Sequence, residues 1–170
     1  MSFRIEEKLS IDSSRVIDFK SFLANKAVKQ IHQRRKIESL YFDNLNYDMY
    51  TDSIEGLTPR KKIRVRNYPG TQDRNMYLEI KISSVEGRFK TRKIIDKSKF
   101  DYLKLNGIFD TQYGLCKPCL SIVYDRVYFK IDDVRISIDN NISYKLYTDN
   151  IYQSDRSSIV EIKTSIKKNL

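Results

Sequence analysis

The feature that most constrains this 170-residue chain is a set of short segments in which apolar and charged residues alternate with period two. Such alternation describes strands with one face on a core and the other polar. Residues 76–82 show it cleanly, with Met76, Leu78, Ile80 and Ile82 in one phase and Glu79 and Lys81 in the other. Residues 2–10 set Arg4, Glu6 and Lys8 against Phe3, Ile5 and Leu9, and residues 60–66 align Lys62, Arg64 and Arg66. Segment 88–95 aligns Arg88, Lys90 and Arg92, and segment 120–131 aligns Tyr124, Arg126, Tyr128 and Lys130. Segment 133–142 aligns Arg135, Ser137 and Asp139, and in 158–165 Glu161 and Lys163 oppose Val160 and Ile162. Residues 36–43 read as an eighth strand whose facing the pattern does not decide.

Two helices interrupt the strands. One starts at an N-cap of Ser13 or Ser14 and carries Val16, Phe19, Leu23 and Ala27 on one side. The other opens on the capping box Ser98 to Asp101 and ends at Gly107. Between 43 and Gly56, and again over 143–156, the sequence reads as polar loop. The expectation is therefore an α+β, β-dominated fold: an eight-stranded antiparallel β-barrel tunnel with flanking helices, forming a single domain over residues 1–170. Apolar strand faces packed outward on the helices would turn the charged faces inward. A lumen lined by cations repels itself when empty and becomes favourable around a polyanion.

The charge balance agrees. The chain carries 32 Lys+Arg against 22 Asp+Glu, a formal +10. The in-phase strand positions account for nearly all of that excess, so the remainder of the chain is close to neutral. No apolar run approaches the roughly 20 residues of a membrane-spanning helix, and the N-terminus has no signal-peptide core. A cytoplasmic protein is expected. With one histidine, His32, and two cysteines, Cys116 and Cys119, a histidine-based triad and a four-ligand zinc site are disfavoured. The lone Cys-Lys-Pro-Cys reads as an incidental pair in a turn.

Cations two residues apart on a strand lie about 7 Å apart, near the repeat of successive phosphates, and the guanidinium fork donates bidentately to phosphate oxygens. Lys62, Arg64 and Arg66 have this spacing; a solvated edge strand would show it too. Recurrence on strand after strand favours phosphate. Glu6, Glu79 and Glu161 each precede an in-phase lysine by two residues. They can hold Mg2+ or Mn2+ beside lysine-bound phosphate, or simply pair along the strand. Tyr124 flanks Arg126 and can orient phosphate or pack under the guanidinium.

In order, Arg4-x-Glu6-x-Lys8, Ser39-Leu40-Tyr41-Phe42-Asp43, Lys62-Ile63-Arg64-Val65-Arg66-Asn67-Tyr68, Leu78-Glu79-Ile80-Lys81, Lys90 followed by Arg92, Tyr124-Asp125-Arg126, Val134 to Asp139 and Val160-Glu161-Ile162-Lys163 resemble the motifs of the VTC domain. That family is the polyphosphate polymerase branch of the triphosphate tunnel metalloenzymes, related to CYTH proteins. The resemblance implies that Lys8, Arg64, Arg66, Lys81, Lys90, Arg126 and Arg135 bind phosphates of ATP or polyphosphate, with Tyr124 in contact. Lys62, Arg92 and Lys163 join them by strand phase. It implies that Glu161 holds Mn2+ or Mg2+, helped by Glu79 and Glu6. It also implies a further C-terminal segment whose lysine contributes to the tunnel. The chain is expected to lack that segment, with Lys167 or Lys168 as substitutes.

The function expected is metal-dependent transfer of the terminal phosphate of ATP to a growing inorganic polyphosphate chain. The alternatives are hydrolysis of inorganic triphosphate or of an RNA 5′ triphosphate, and non-catalytic binding of polyphosphate or nucleic acid.

Overall fold

The computed structural model describes residues 3–26 and 28–166, with the side chains of 3, 4, 165 and 166 left aside. Ala27, Lys167 and Lys168, and the Arg4 side chain, lie outside what is described. In chain order the elements are β1 (Phe3–Asp12), a 3-10 turn (Ser13–Arg15), α1 (Val16–Asn25), β2 (Lys29–Asp43), α2 (Asp48–Glu55), β3 (Arg60–Asn67), β4 (Met76–Ser84), β5 (Gly87–Ile95), α3 (Lys97–Asn106), β6 (Ile108–Asp110), β7 (Gly114–Ile131), β8 (Val134–Leu146), β9 (Gln153–Ser154) and β10 (Ser157–Ile166). The fold is β-dominated. Its ten strands form one sheet in the order β1-β10-β8-β7-β2-β3-β4-β5, with β6 on β7 and β9 on β8. The pairings with an assigned register are antiparallel.

Two expectations are corrected. Among the described residues the sheet has ten strands rather than eight, because two short strands, β6 and β9, pair against longer neighbours. It is also not a closed barrel: β1 and β5 end the hydrogen-bonded path, and among the described residues no pairing joins them. The chain divides into two compact units. The first combines residues 1–36, 123–143 and 153–170; the second combines 37–122 and 144–152. Strands β2, β7 and β8 contribute residues to both.

In the first unit Val16 and Leu23 of α1 pack with Val127, Ile136, Ile138 and Val160 from β7, β8 and β10. These are the apolar phases of the strands that carry Arg126, Arg135 and Glu161. The helix is introduced by Asp12 rather than by Ser13 or Ser14: its carboxylate accepts the Ser14 N–H at 2.8 Å, capping the 3-10 turn that leads into α1. In the second unit Leu40, Phe42, Ile63 and Val65 pack with Met49 of α2 and Leu103 of α3. Here α3 is capped by Asp96, whose carboxylate accepts the Lys99 N–H at 2.6 Å, two residues earlier than the expected box at Ser98. Gly107 ends it as expected, with φ +83° and its N–H donating to Leu103. A Cβ at Gly107 would lie 2.5 Å from the Cys116 carbonyl oxygen.

The buried Asp43 explains why a helix, α2, forms where the sequence reads as loop. Its carboxylate accepts N–H groups of Asn44 (2.8 Å), Met49 (3.0 Å) and Tyr50 (3.0 Å), capping α2 from six and seven residues away. Asp43→Ala therefore leaves one buried and two partly buried N–H donors without this acceptor and is expected to cost about 2 kcal/mol of stability. Denaturant unfolding of wild type and variant measures the difference; equal midpoints would remove this role from Asp43.

Candidate phosphate-binding site

In the second unit the charged phases of β3, β4 and β5 align into rows across the sheet. Lys62 stands opposite Lys81, which stands opposite Lys90. One step along, Arg64 stands opposite Glu79, and Glu79 opposite Arg92; one step further, Arg66 faces Tyr77. Like charges directly opposite one another are unfavourable in a sheet; in this row Lys90 is compensated by its ion pair with Glu79.

Glu79 anchors this face and is 1% exposed. One of its oxygens accepts Arg64 Nε (2.8 Å) and a second Arg64 nitrogen (2.6 Å); the other accepts Lys90 Nζ at 2.5 Å. Arg66 and Arg92 stand at 4.0 and 3.7 Å. Burial alone would raise the Glu79 pKa, but Lys90, Arg64 and Arg66 together bring it down to about 2. Both Glu79 oxygens are thus engaged by Arg64 and Lys90, so a metal ion there would have to displace a cation, and as arranged Glu79 organises those cations.

Ser39 and Tyr41 on β2 complete the face: Arg64 donates to the Tyr41 hydroxyl at 2.9 Å, and Arg66 Nε donates to Ser39 Oγ at 3.2 Å. The sequence places both in the Ser39–Asp43 motif without giving either a role. The signal was available, since Ser39 and Tyr41 alternate with the buried apolar Leu40 and Phe42.

The first unit repeats the logic around Glu161. Across β1, β10 and β8 the rows read Glu6, Lys163, Arg135 and then Lys8, Glu161, Ser137. Glu161 is buried, with Lys163 at 3.2 Å, Lys8 at 3.6 Å and Arg126 at 3.9 Å. Burial would raise its pKa, but a hydrogen bond with Glu6 and the charges of Lys163, Arg126 and Lys8 hold it well below the usual carboxylate range. Lys8 and Lys163 also lie 4.0 and 3.9 Å from Glu6. Arg126 is oriented by a two-pronged ion pair with Asp139 and lies 5.3 Å over the Tyr124 ring. Arg126, Arg135, Ser137, Glu161 and Lys163 line a small cavity of about 40 Å³.

Glu6 and Glu161 do fit a hard divalent ion by chemical type: two neighbouring carboxylates are the kind of oxygen set that Mg2+ or Mn2+ uses when phosphates and water complete its shell. Among the described residues no group of three or more His, Cys, Asp or Glu side chains comes together, so phosphate and water would have to supply the other ligands.

The cysteines and the histidine, given no role by the sequence, are not among the residues of either cluster described above, and the cysteines lie in β7 rather than in a turn. Cys116 and Cys119 are free thiols; burial pushes the former up to about 11 and the latter up to about 12. His32 sits edge-on against Tyr128, and Arg35, absent from the expected site, lies over the same ring at 5.7 Å.

Acid should weaken the fold through the buried carboxylates. Glu79 binds fewer protons folded than unfolded, so its stabilisation is complete above its ordinary pKa of 4.5 and drains as pH falls toward about 2. Glu161 acts in the same direction. Unfolding free energies measured from pH 6 down to pH 3 are expected to fall, and a flat profile would contradict these pairings.

In each unit a face of the antiparallel sheet gathers Arg and Lys around a buried glutamate, and the fold recurs among solved structures. Among solved structures it is similar to a conserved hypothetical protein of Pyrococcus furiosus (TM-score 0.61, 18% identity, 98% of this chain and 81% of that one). It is also similar to a putative adenylate cyclase of Bacillus halodurans (0.62, 12%, 95% and 80%) and to a putative adenylyl cyclase of Hippeastrum described as having a dominant triphosphatase activity (0.55, 14%, 96% and 80%). A search of curated proteins by sequence found no significant match. The model of the VTC domain matches residues 3–169, and the chain belongs to the VTC domain family. No helix among the described residues is long and apolar enough to cross a membrane.

Proposed function

We propose that the protein is a metal-dependent phosphotransferase that moves the terminal phosphate of ATP onto an inorganic polyphosphate chain. The observation that carries this reading is the buried Glu161 beside Glu6, set among Lys8, Arg126, Arg135 and Lys163, in a member of the VTC domain family. In that role Lys8, Arg126, Arg135 and Lys163 hold phosphate oxygens, and Asp139 keeps Arg126 aimed. In the second unit Lys62, Lys81, Lys90, Arg64, Arg66 and Arg92 do the same, organised by Glu79, with Tyr41 and Ser39 fixing the two guanidinium groups. A Mg2+ or Mn2+ ion held by Glu161 and Glu6 would draw charge from the phosphoryl oxygens. Phosphoryl transfer needs little else from the protein than placement and neutralisation of charge, which explains a site without histidine or cysteine.

Hydrolysis of a triphosphate is the second reading, supported by the triphosphatase activity ascribed to the Hippeastrum relative. Water rather than a phosphate chain would then be the nucleophile. Incubation with ATP and Mn2+ followed by gel analysis separates them: long polyphosphate is expected, whereas orthophosphate alone would replace transfer by hydrolysis. Neither product would leave binding without catalysis.

A further inference from the structure

Arg92 differs from its neighbours in how it is held. Its guanidinium carbon lies 3.5 Å from the centre of the Tyr77 ring, against 5.7 Å for Arg64 over Tyr41 and 5.3 Å for Arg126 over Tyr124. The first distance is a stacking contact; the others are looser. Tyr77 is on β4 and is 8% exposed. Its hydroxyl donates to the Asp73 carboxylate, with the two oxygens at 3.0 and 2.8 Å. Asp73 is itself fixed, because one of the same oxygens accepts the Asn75 N–H at 3.1 Å. The Tyr68 ring meets Tyr77 edge-on at 5.9 Å, and Thr71 Oγ donates to the Tyr68 carbonyl at 2.8 Å. The loop over 68–75 thus grips the phenol, and the phenol carries the guanidinium.

A guanidinium stacked through its face keeps its N–H donors in the plane of the group, free to meet oxygens at the edge. Arg92 Nε stands 3.7 Å from Glu79, beyond hydrogen-bond distance, so the cation is oriented without being consumed by that carboxylate. Its side chain remains partly exposed. Ordering a long side chain before the ligand arrives lowers the entropy that binding must overcome.

We propose that Tyr77 and Asp73 are positioning residues for Arg92: the ring and the carboxylate behind it hold the guanidinium ready for a phosphate oxygen. This rests on the triphosphate reading above and goes beyond it by assigning a function to the loop before β4. The hydrogen bond from Tyr77 also holds Asp73 below its ordinary pKa and raises that of Tyr77, which keeps the phenol protonated and donating.

Calorimetric titration with inorganic triphosphate in Mg2+ tests it on the full chain, using Tyr77→Leu, Tyr77→Phe, Arg92→Gln and the double variant Tyr77→Leu/Arg92→Gln. Tyr77→Leu is expected to weaken binding about 10-fold, and Tyr77→Phe, which keeps the ring and loses Asp73, about 2- to 3-fold. In the Arg92→Gln background the Leu change is expected to add nothing, since its effect runs through Arg92. Equal weakening in both backgrounds would make Tyr77 a general support of the loop and overturn the proposal. Unchanged affinity in folded Tyr77→Leu would overturn it as well. Should that variant fail to fold, Tyr77→Phe and Asp73→Asn decide the question in the same cycle. A wild type that binds no triphosphate removes the functional reading and the positioning role together. The Arg92 Nε–H resonance of the ligand-free protein, shifted by the Tyr77 ring and restored in Tyr77→Leu, then reports separately whether the stack itself forms.

Discussion

Glu161→Gln is expected to lower metal-dependent turnover of ATP by about 10²- to 10³-fold, the size of effect seen when one strong electrostatic contributor is removed from an active site. Glutamine keeps the shape and loses the charge. Lys8, Lys163 and Arg126 then face a neutral group, and the pair with Glu6 that fits a divalent ion is broken. The expected signature is a fall in kcat, with triphosphate binding in the absence of metal retained or strengthened, because a negative charge has left a cationic site. The Glu161 carboxylate also stabilises the fold, so a modest drop in Tm accompanies the change. Full turnover in the folded variant would exclude Glu161 as the metal-holding residue.

The largest stability effect is expected at Glu79. Removing one partner of a buried ion pair costs about 3 to 5 kcal/mol, because the remaining charge stays buried without compensation. Glu79→Ala leaves the buried Arg64 and Arg66 facing Arg92 and Lys90 with no carboxylate between them. Denaturant unfolding should show that loss, and Glu79→Gln, which can still accept hydrogen bonds from Arg64, should recover part of it. The contrast with Glu161 is the point: loss of Glu79 is expected to cost stability first, loss of Glu161 to cost chemistry first. A mild effect at Glu79 together with a large effect on metal dependence would reverse these assignments.

The strands were legible because their alternation is strong. Residues 60–66, 76–82, 88–95 and 158–165 fall within β3, β4, β5 and β10, and the charged residues of one phase stand in rows across neighbouring strands. Less visible was the N-terminal half of β2, Lys29 to Lys36, where polar residues occupy both phases and no alternation remains. The helix α2 was hidden because its cap, Asp43, belongs to a strand and acts across the intervening turn. Likewise β8 runs on to Leu146 past Asn141, whose φ of 52° is unusual for a strand residue and breaks the pattern.

At the site, composition and phase identified which residues are charged and which face they share, but not which charges meet. That Glu79 serves Arg64 on one neighbouring strand and Lys90 on the other depends on register. The same holds for Arg126 and Asp139, joined across the β7–β8 hairpin. Registers also separate the three glutamates that look alike in sequence: Glu6 and Glu161 fall in adjacent rows of the β1–β10 pair, and Glu79 stands between Arg64 and Arg92.

The central proposal is that each of these clusters, taken in its own unit, binds phosphate groups of a triphosphate. Its most direct test is calorimetric titration of the wild type with inorganic triphosphate in Mg2+, compared with Lys163→Met and Lys90→Met, whose partly exposed side chains make folding tolerant of the change. The account predicts saturable binding that weakens steeply with added salt and about 10-fold in each variant. Absence of saturable binding by the wild type, or identical affinities in all three proteins, would contradict it.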